Sequence, residues 1–155
     1  MKGNVKMIAK LNELLAEELT AVNQYMVHAE MCENWGYKKL HEMSEKRAIS
    51  EMKHAETLIA RILFLDGLPT VSKYNKIRIG ADVEGQHKND VGAEYTAVKS
   101  YNEGIALARK VEDGGTRKIL DSILKDEEDH VDLLEAQLAQ IQQMGVKIYL
   151  TEQIG

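Results

Sequence analysis

Glu18-Leu19-Thr20-Ala21-Val22-Asn23-Gln24-Tyr25 returns 76 positions later as Glu94-Tyr95-Thr96-Ala97-Val98-Lys99-Ser100-Tyr101, with five of the eight residues identical. The same offset carries Glu51-Met52-Lys53-His54 onto Glu127-Glu128-Asp129-His130, and Leu58 onto Leu134. Over the windows 18–25 and 51–58 half of the positions agree, where unrelated segments of average composition would share roughly one. The chain reads as a duplication: two equivalent helix pairs facing each other across a pseudo-twofold axis.

Around these windows the apolar spacing is helical. Ile8, Leu11, Leu15, Val22, Tyr25 and Ala29 advance in threes and fours, the period of one helix face, and Glu18 fills the gap between Leu15 and Val22. Val91, Glu94, Val98, Tyr101, Ile105 and Ala108 form a second seam. A third joins Leu120, Ile123, Glu127, His130, Leu134 and Ile141, while Glu51, His54 and Leu58 share a face of the remaining segment. Pro69 is the sole proline and aromatics make up 5% of the chain, so breakers and β-formers are few. Glycines at 36, 67, 80, 85, 114, 115 and 145 divide the chain into four helices, near 5–34, 38–66, 83–112 and 116–144, each roughly 40–45 Å long. Short turns at Asn34–Tyr37 and Asp113–Thr116 make antiparallel neighbours. The longer stretch Asp66–Asp82 can run the length of a bundle and reverse the order of up and down. The expectation is an all-α four-helix bundle with one long crossover, a short fifth helix at Val146–Gln153 for assembly contacts, and a single domain over 1–155.

Composition narrows the function. One cysteine, Cys32, excludes an intramolecular disulfide and any Cys-rich metal site. Lys+Arg 20 against Asp+Glu 25 gives a net charge of -5 with no basic run, which argues against a nucleic-acid partner. No apolar run approaches the roughly 20 residues of a membrane span. Met1-Lys2-Gly3-Asn4-Val5-Lys6 leads into an amphipathic stretch and not an apolar signal core, so a cytoplasmic location is expected.

Each helix turns a carboxylate inward, Glu18, Glu51, Glu94 and Glu127, and two helices add a histidine three residues on, His54 and His130. A buried carboxylate costs several kcal/mol even after relaxation, and four together repel one another. Two divalent cations would balance four carboxylates and leave the imidazoles neutral. Spacing of i,i+3 sets Glu and His side by side on one helix face. A third Glu-x-x-His, Glu84 to His87, maps back onto Ile8 and Leu11 and reads as a solvated helix start. His28 and His41 have no repeat partners and read as surface or boundary residues. A polar network of purely structural purpose is the alternative, but the stability of a bundle does not call for a duplicated Glu and Glu-x-x-His set.

The ligand pattern is that of ferritin-like di-iron bundles, and over its whole length the chain resembles the bacterioferritins. Glu18, Glu51-Met52-Lys53-His54, Glu94 and Glu127-Glu128-Asp129-His130 fall where that family has them. So do the opening Met-Lys-Gly, Asn23-Gln24-Tyr25 and the run from Arg61 to Pro69. Classical ferritins lack the second Glu-x-x-His, and rubrerythrins carry a Cys-rich iron domain that one cysteine cannot supply.

The resemblance implies a ferroxidase that oxidises Fe(II) to Fe(III) with O₂ or peroxide and stores ferric mineral inside a homo-oligomeric shell of 24 subunits built of twofold dimers. Glu18 and His54 would hold one iron, Glu94 and His130 the other, with Glu51 and Glu127 bridging the di-iron centre. Met52, whose side chain points about 100° away from the seam, would with its twofold mate bind haem b, one per subunit pair. That haem would take electrons from a small bacterioferritin-associated ferredoxin and assist iron release. Tyr25 resembles a family tyrosine thought to act in electron transfer; a core tyrosine bonded to a ligand is the other reading. Lys46 and Ser50 stand where some members have a histidine and an aspartate forming a cavity-side iron site. Ile148 and Thr151 replace polar amides that line a pore in some members. Two other functions fit the same residues: a di-iron or di-manganese oxygenase or peroxidase, and a haem electron-transfer shell.

Overall fold

The computed structural model describes all residues, Met1–Gly155, and contains helices and no strands. In chain order these are α1 (Val5–Asn34), α2 (Lys38–Phe64), α3 (Val83–Lys110), α4 (Gly114–Met144) and α5 (Val146–Thr151). Side-chain caps set three of the starts. Asn4 accepts from the Met7 amide, Asp82 from Gly85 and Asp113 from Thr116, each satisfying a donor that the first helical turn leaves free. No helix is long and apolar enough to cross a membrane.

The expected boundaries shift by a residue or two. Helix α2 stops at Phe64 and α3 at Lys110, because Asp66 and Glu112 adopt left-handed backbone, φ 57° and 58°, which ends a right-handed helix. Glu112 lies 76 positions after Gly36, whose φ is 82°, so the two short turns are themselves duplicates. Gly114 and Gly115 do not form the turn, as the glycine pattern suggested, but the first turn of α4. A side chain at Gly115 would meet the Arg61 guanidinium at 2.6 Å. That guanidinium bonds Asp113 and Thr116 at 2.8 and 2.9 Å and ties the end of α2 to the start of α4. Helix α5 ends at Thr151, two residues earlier than expected.

Helices α1 and α2 pair antiparallel, as do α3 and α4, and the pairs meet mainly along α1 and α3. The crossover climbs α1 from one end to the other on a line of side chains. Asn12 accepts from the Thr70 amide, Thr20 from Asn75, Gln24 from Arg78 and His28 from Gly80. Helix α3 therefore begins beside the C-terminal end of α1 and runs antiparallel to it. One end of the bundle is filled by Leu11, Leu14, Leu58, Ile62, Ile105 and Leu120 with their neighbours. At the other end α5 closes over Cys32, Leu40, Val83 and Ile141 through Tyr149.

That second end corrects two readings of the sequence. His28 is no surface residue; it is fully buried and its Nδ1 donates to Asp90 at 2.9 Å while Nε2 accepts from Gly80. His87 is not solvated either. It is 3% exposed and bonds the Tyr149 hydroxyl at 3.0 Å, and burial pulls its imidazole down to about 4. Its role is to seat α5. His41 is a boundary residue, with its Nδ1 on the Ala29 carbonyl at 2.9 Å.

Candidate metal centre

All four long helices contribute to one buried group at mid-bundle. The apolar periodicity of each helix turns Glu18, Glu51, Glu94 and Glu127 inward, and each is 2% exposed or less. His54 and His130 follow their glutamates by three residues and lie beside them. The ligand atoms fall into two clusters, Glu18, Glu51, His54 and Glu127 on one side, Glu51, Glu94, Glu127 and His130 on the other. The clusters share Glu51 and Glu127, one from each half of the duplication. All six residues singled out in the sequence are thus brought together.

Both imidazoles present Nδ1 to the carboxylates. His54 Nδ1 lies 3.0 Å from Glu127 and 3.3 Å from Glu51. His130 Nδ1 lies 2.9 Å from Glu51 and 3.4 Å from Glu94. Two tyrosines orient the outer carboxylates across the α1–α3 interface. Tyr25 donates to Glu94 at 2.6 Å, and Tyr101, 76 positions on, donates to Glu18. The phenol pKa values of both are raised, by burial first and by the neighbouring carboxylates after it.

Burial dominates the electrostatics of the group. Burial pushes the carboxyl pKa values of Glu18, Glu51, Glu94 and Glu127 upward. Burial alone would lower the His54 imidazole, but the carboxylates of Glu127, Glu18 and Glu51 close around it reverse that and raise it. Even so, Glu18 Oε2, Glu51 Oε1, Glu94 Oε2, Glu127 Oε1 and His130 Nδ1 are buried with no hydrogen-bond partner. Each such atom costs about 1–3 kcal/mol, and more where charged. A cation in each cluster would satisfy all five, and the mixed carboxylate and imidazole donors suit iron, manganese or zinc.

A polar cavity of about 490 Å³ reaches this group from between α1, α3 and the crossover, with Glu18, Glu51, Glu94 and Glu127 among the residues lining it. Glu17 and Arg78 also line its wall. Burial lifts the Glu17 carboxyl to about 7 despite a 2.6 Å bond from Ser100. The sequence reading passed over Glu17, which lies next to the apolar seam and has Ala93 as its repeat counterpart. It also passed over Asp126, whose Oδ2 sits 2.8 Å from His54 Nε2. Extending the 76-residue alignment one position before Glu51 and Glu127 would have exposed that pair, Ser50 and Asp126.

Met52 lies on the outer face of α2 and is 44% exposed, as is Ile49, with Met26 of α1 at 51%. An exposed thioether among apolar side chains has the chemistry to ligate haem iron and equally to make a contact between subunits.

The family model for the ferritin-like domain matches residues 8–144. A bacterioferritin of Mycobacterium leprae is 40% identical over 149 residues, 96% of this chain and 94% of its own length. One from Brucella melitensis is 39% identical, with 96% of this chain and 92% of its own covered. One from Rhodobacter capsulatus is 41% identical over 94% of this chain and 90% of its own.

Proposed function

The chain belongs to the bacterioferritins, and from that premise we propose that it is a ferroxidase that stores iron, taking Fe(II) in pairs as substrate and releasing Fe(III) for deposition as mineral. The carrying observation is the pair of buried clusters that share Glu51 and Glu127 and leave five ligand atoms without partners. Two Fe(II) ions yield two electrons, enough to take O₂ to peroxide or peroxide to water.

The residues divide the work. Glu18 and His54 serve one ion, Glu94 and His130 the other, and the two shared carboxylates bridge. Two ions bridged in this way would lie close enough for one oxidant to reach both. Tyr25 and Tyr101 fix the orientation of Glu94 and Glu18 by hydrogen bonds on opposite sides of the centre. The four carboxylates are 2% exposed or less and the two imidazoles 6%, so bulk water has little access to the group. The whole chain, 1–155, works as one such unit in a homo-oligomeric shell, with 24 subunits arranged as twofold dimers. Met52 and its mate in a second copy would ligate haem b, which supplies one-electron transfer from a small ferredoxin for iron release.

The test is Glu18→Ala and His130→Ala. Rapid Fe(II) oxidation should be lost from both while the assembled mass is retained. Unchanged oxidation and iron loading would overturn the reading.

A further inference from the structure

The two histidines of the centre are alike in burial and ring orientation. Both are 6% exposed. Their rings stand 6.3 Å apart and within 22° of parallel, each with Nδ1 toward the shared carboxylates. Their outward nitrogens differ. His54, on α2, holds Nε2 against the Asp126 carboxylate of α4 at 2.8 Å. The duplication gives the same place opposite His130 to Ser50 of α2, 76 positions before Asp126. The contacts of His130 to carboxylates all run through Nδ1, to Glu51, Glu94 and Glu127. Charge follows the same division. One turn before Ser50 stands Lys46, whereas one turn before Asp126 stands the neutral Ser122.

We propose that Asp126 is a positioning residue that makes the His54 cluster the tighter of two unequal cation seats, leaving the His130 cluster as the one that exchanges. The proposal rests on the metal-centre reading above. When an imidazole gives its Nδ1 lone pair to a cation, Nε2 carries the ring proton. A carboxylate that accepts that proton in a hydrogen bond fixes the tautomer and the ring plane and strengthens Nδ1 as a donor. Asp126 also adds negative charge beside one seat only. Loss of such an outer partner typically weakens metal binding 10–100-fold, and the duplicated seat already lacks it. The Glu94–His130 seat should fill last and empty first, so turnover at the centre would pass through that side.

The assembled protein, crystallised without iron and soaked in about one Co²⁺ per subunit, tests this by the anomalous signal at each seat. Co²⁺ should occupy the His54 cluster at least tenfold more than the His130 cluster. Asp126→Ser should bring the two occupancies within about twofold by weakening the first seat. Ser50→Asp should do so by strengthening the second, which titration of Co²⁺ absorption reads as one tight step in place of two. Asp126 is half-exposed and Ser50 makes no buried bond, so neither change threatens the fold. Equal occupancy in the parent protein, or a ratio untouched by Asp126→Ser, would overturn the proposal. Absence of Co²⁺ from both seats would instead overturn the metal-centre reading beneath it.

Discussion

Leu14 beside Gly104 and Asp90 beside His28 occupy equivalent places in the two halves of the molecule, since each residue of the second pair lies 76 positions from one of the first. At one end of the bundle Leu14 packs against the bare backbone of Gly104, where an added Cβ would lie 3.4 Å from its methyl. At the other end the same geometry holds a hydrogen-bonded carboxylate and imidazole, both buried. Between them the Tyr–Glu pairs and the Glu-x-x-His spacing occur in both halves. The crossover accounts for the difference. It delivers the Gly80 amide to His28 and the Arg78 amide to Gln24, and Gln24 donates in turn to Asp90 at 2.8 Å. The Gly80 amide is buried at one end and needs an acceptor inside the bundle, whereas at the other end the crossover is met on the outside by Asn12 and the interior fills with leucine. The halves stay alike at the Glu and Glu-x-x-His positions and diverge where the crossover lays a buried backbone donor over one end.

The sharpest way to break this comparison is at the shared carboxylates. Glu51→Ala and Glu127→Ala each remove a ligand from both clusters. Fe(II) oxidation, followed by stopped-flow absorbance, should fall by more than the 10–100-fold typical of an outer partner, and by similar factors in the two variants. A loss confined to one of them would end the twofold description of the centre.

The two ends should differ in how they fail. Leu14→Ala opens a cavity at Gly104 and should cost about 2–5 kcal/mol in denaturant unfolding. His28→Ala leaves Asp90 and the Gly80 amide short of partners, at about 1–3 kcal/mol for each. Only His28→Ala should speed hydrogen exchange at Gly80. Comparable exchange at Gly80 in both variants would show that the polar end does not anchor the crossover.

The tyrosines give a smaller, symmetric effect. Tyr25→Phe and Tyr101→Phe each remove a hydrogen bond to a buried carboxylate, worth about 1.5–3 kcal/mol when the acceptor is charged. Iron-free protein should lose similar stability in both. A marked inequality would point to a task for one tyrosine beyond orientation.

The smallest change is expected at Glu17, on the wall of a cavity that reaches solvent, where its repeat counterpart Ala93 carries no charge. Its folded pKa of about 7 exceeds the ordinary glutamate value, so the folded state keeps a proton that the unfolded chain has released. Stability from this group is present below about pH 4.5 and is lost as pH rises toward 7. Glu17→Gln should therefore raise the thermal midpoint at pH 8 and leave it unchanged near pH 4. A gain that did not depend on pH would rule out the buried charge as its cause.

Much of the centre was legible because duplication tests itself. A glutamate on an apolar seam is ambiguous alone, but Glu18 and Glu94 occur at the same register in two segments that agree elsewhere. The α4 seam read from the sequence, Leu120 to Ile141, matches the buried residues of that helix apart from Thr116. What could not be read lacks a repeat partner or depends on the crossover. His28 is buried because a non-helical segment supplies a backbone donor, and no periodicity announces where that segment will lie. His87 is buried by α5, a single six-residue helix with no counterpart in the first half. Asp126 escaped because it sits on an exposed helix position and acts only by reaching across to α2.

Sharing the ligands between halves sets the order in which the protein can be made. At the usual 5–20 residues per second, about 4–15 s separate the synthesis of His54 from that of His130. During that interval Glu18, Glu51 and His54 leave the ribosome without the carboxylates that complete either cluster. Half a protein, and so a nascent chain, offers only an open and incomplete set of donors, and both clusters come together only once the fold has closed.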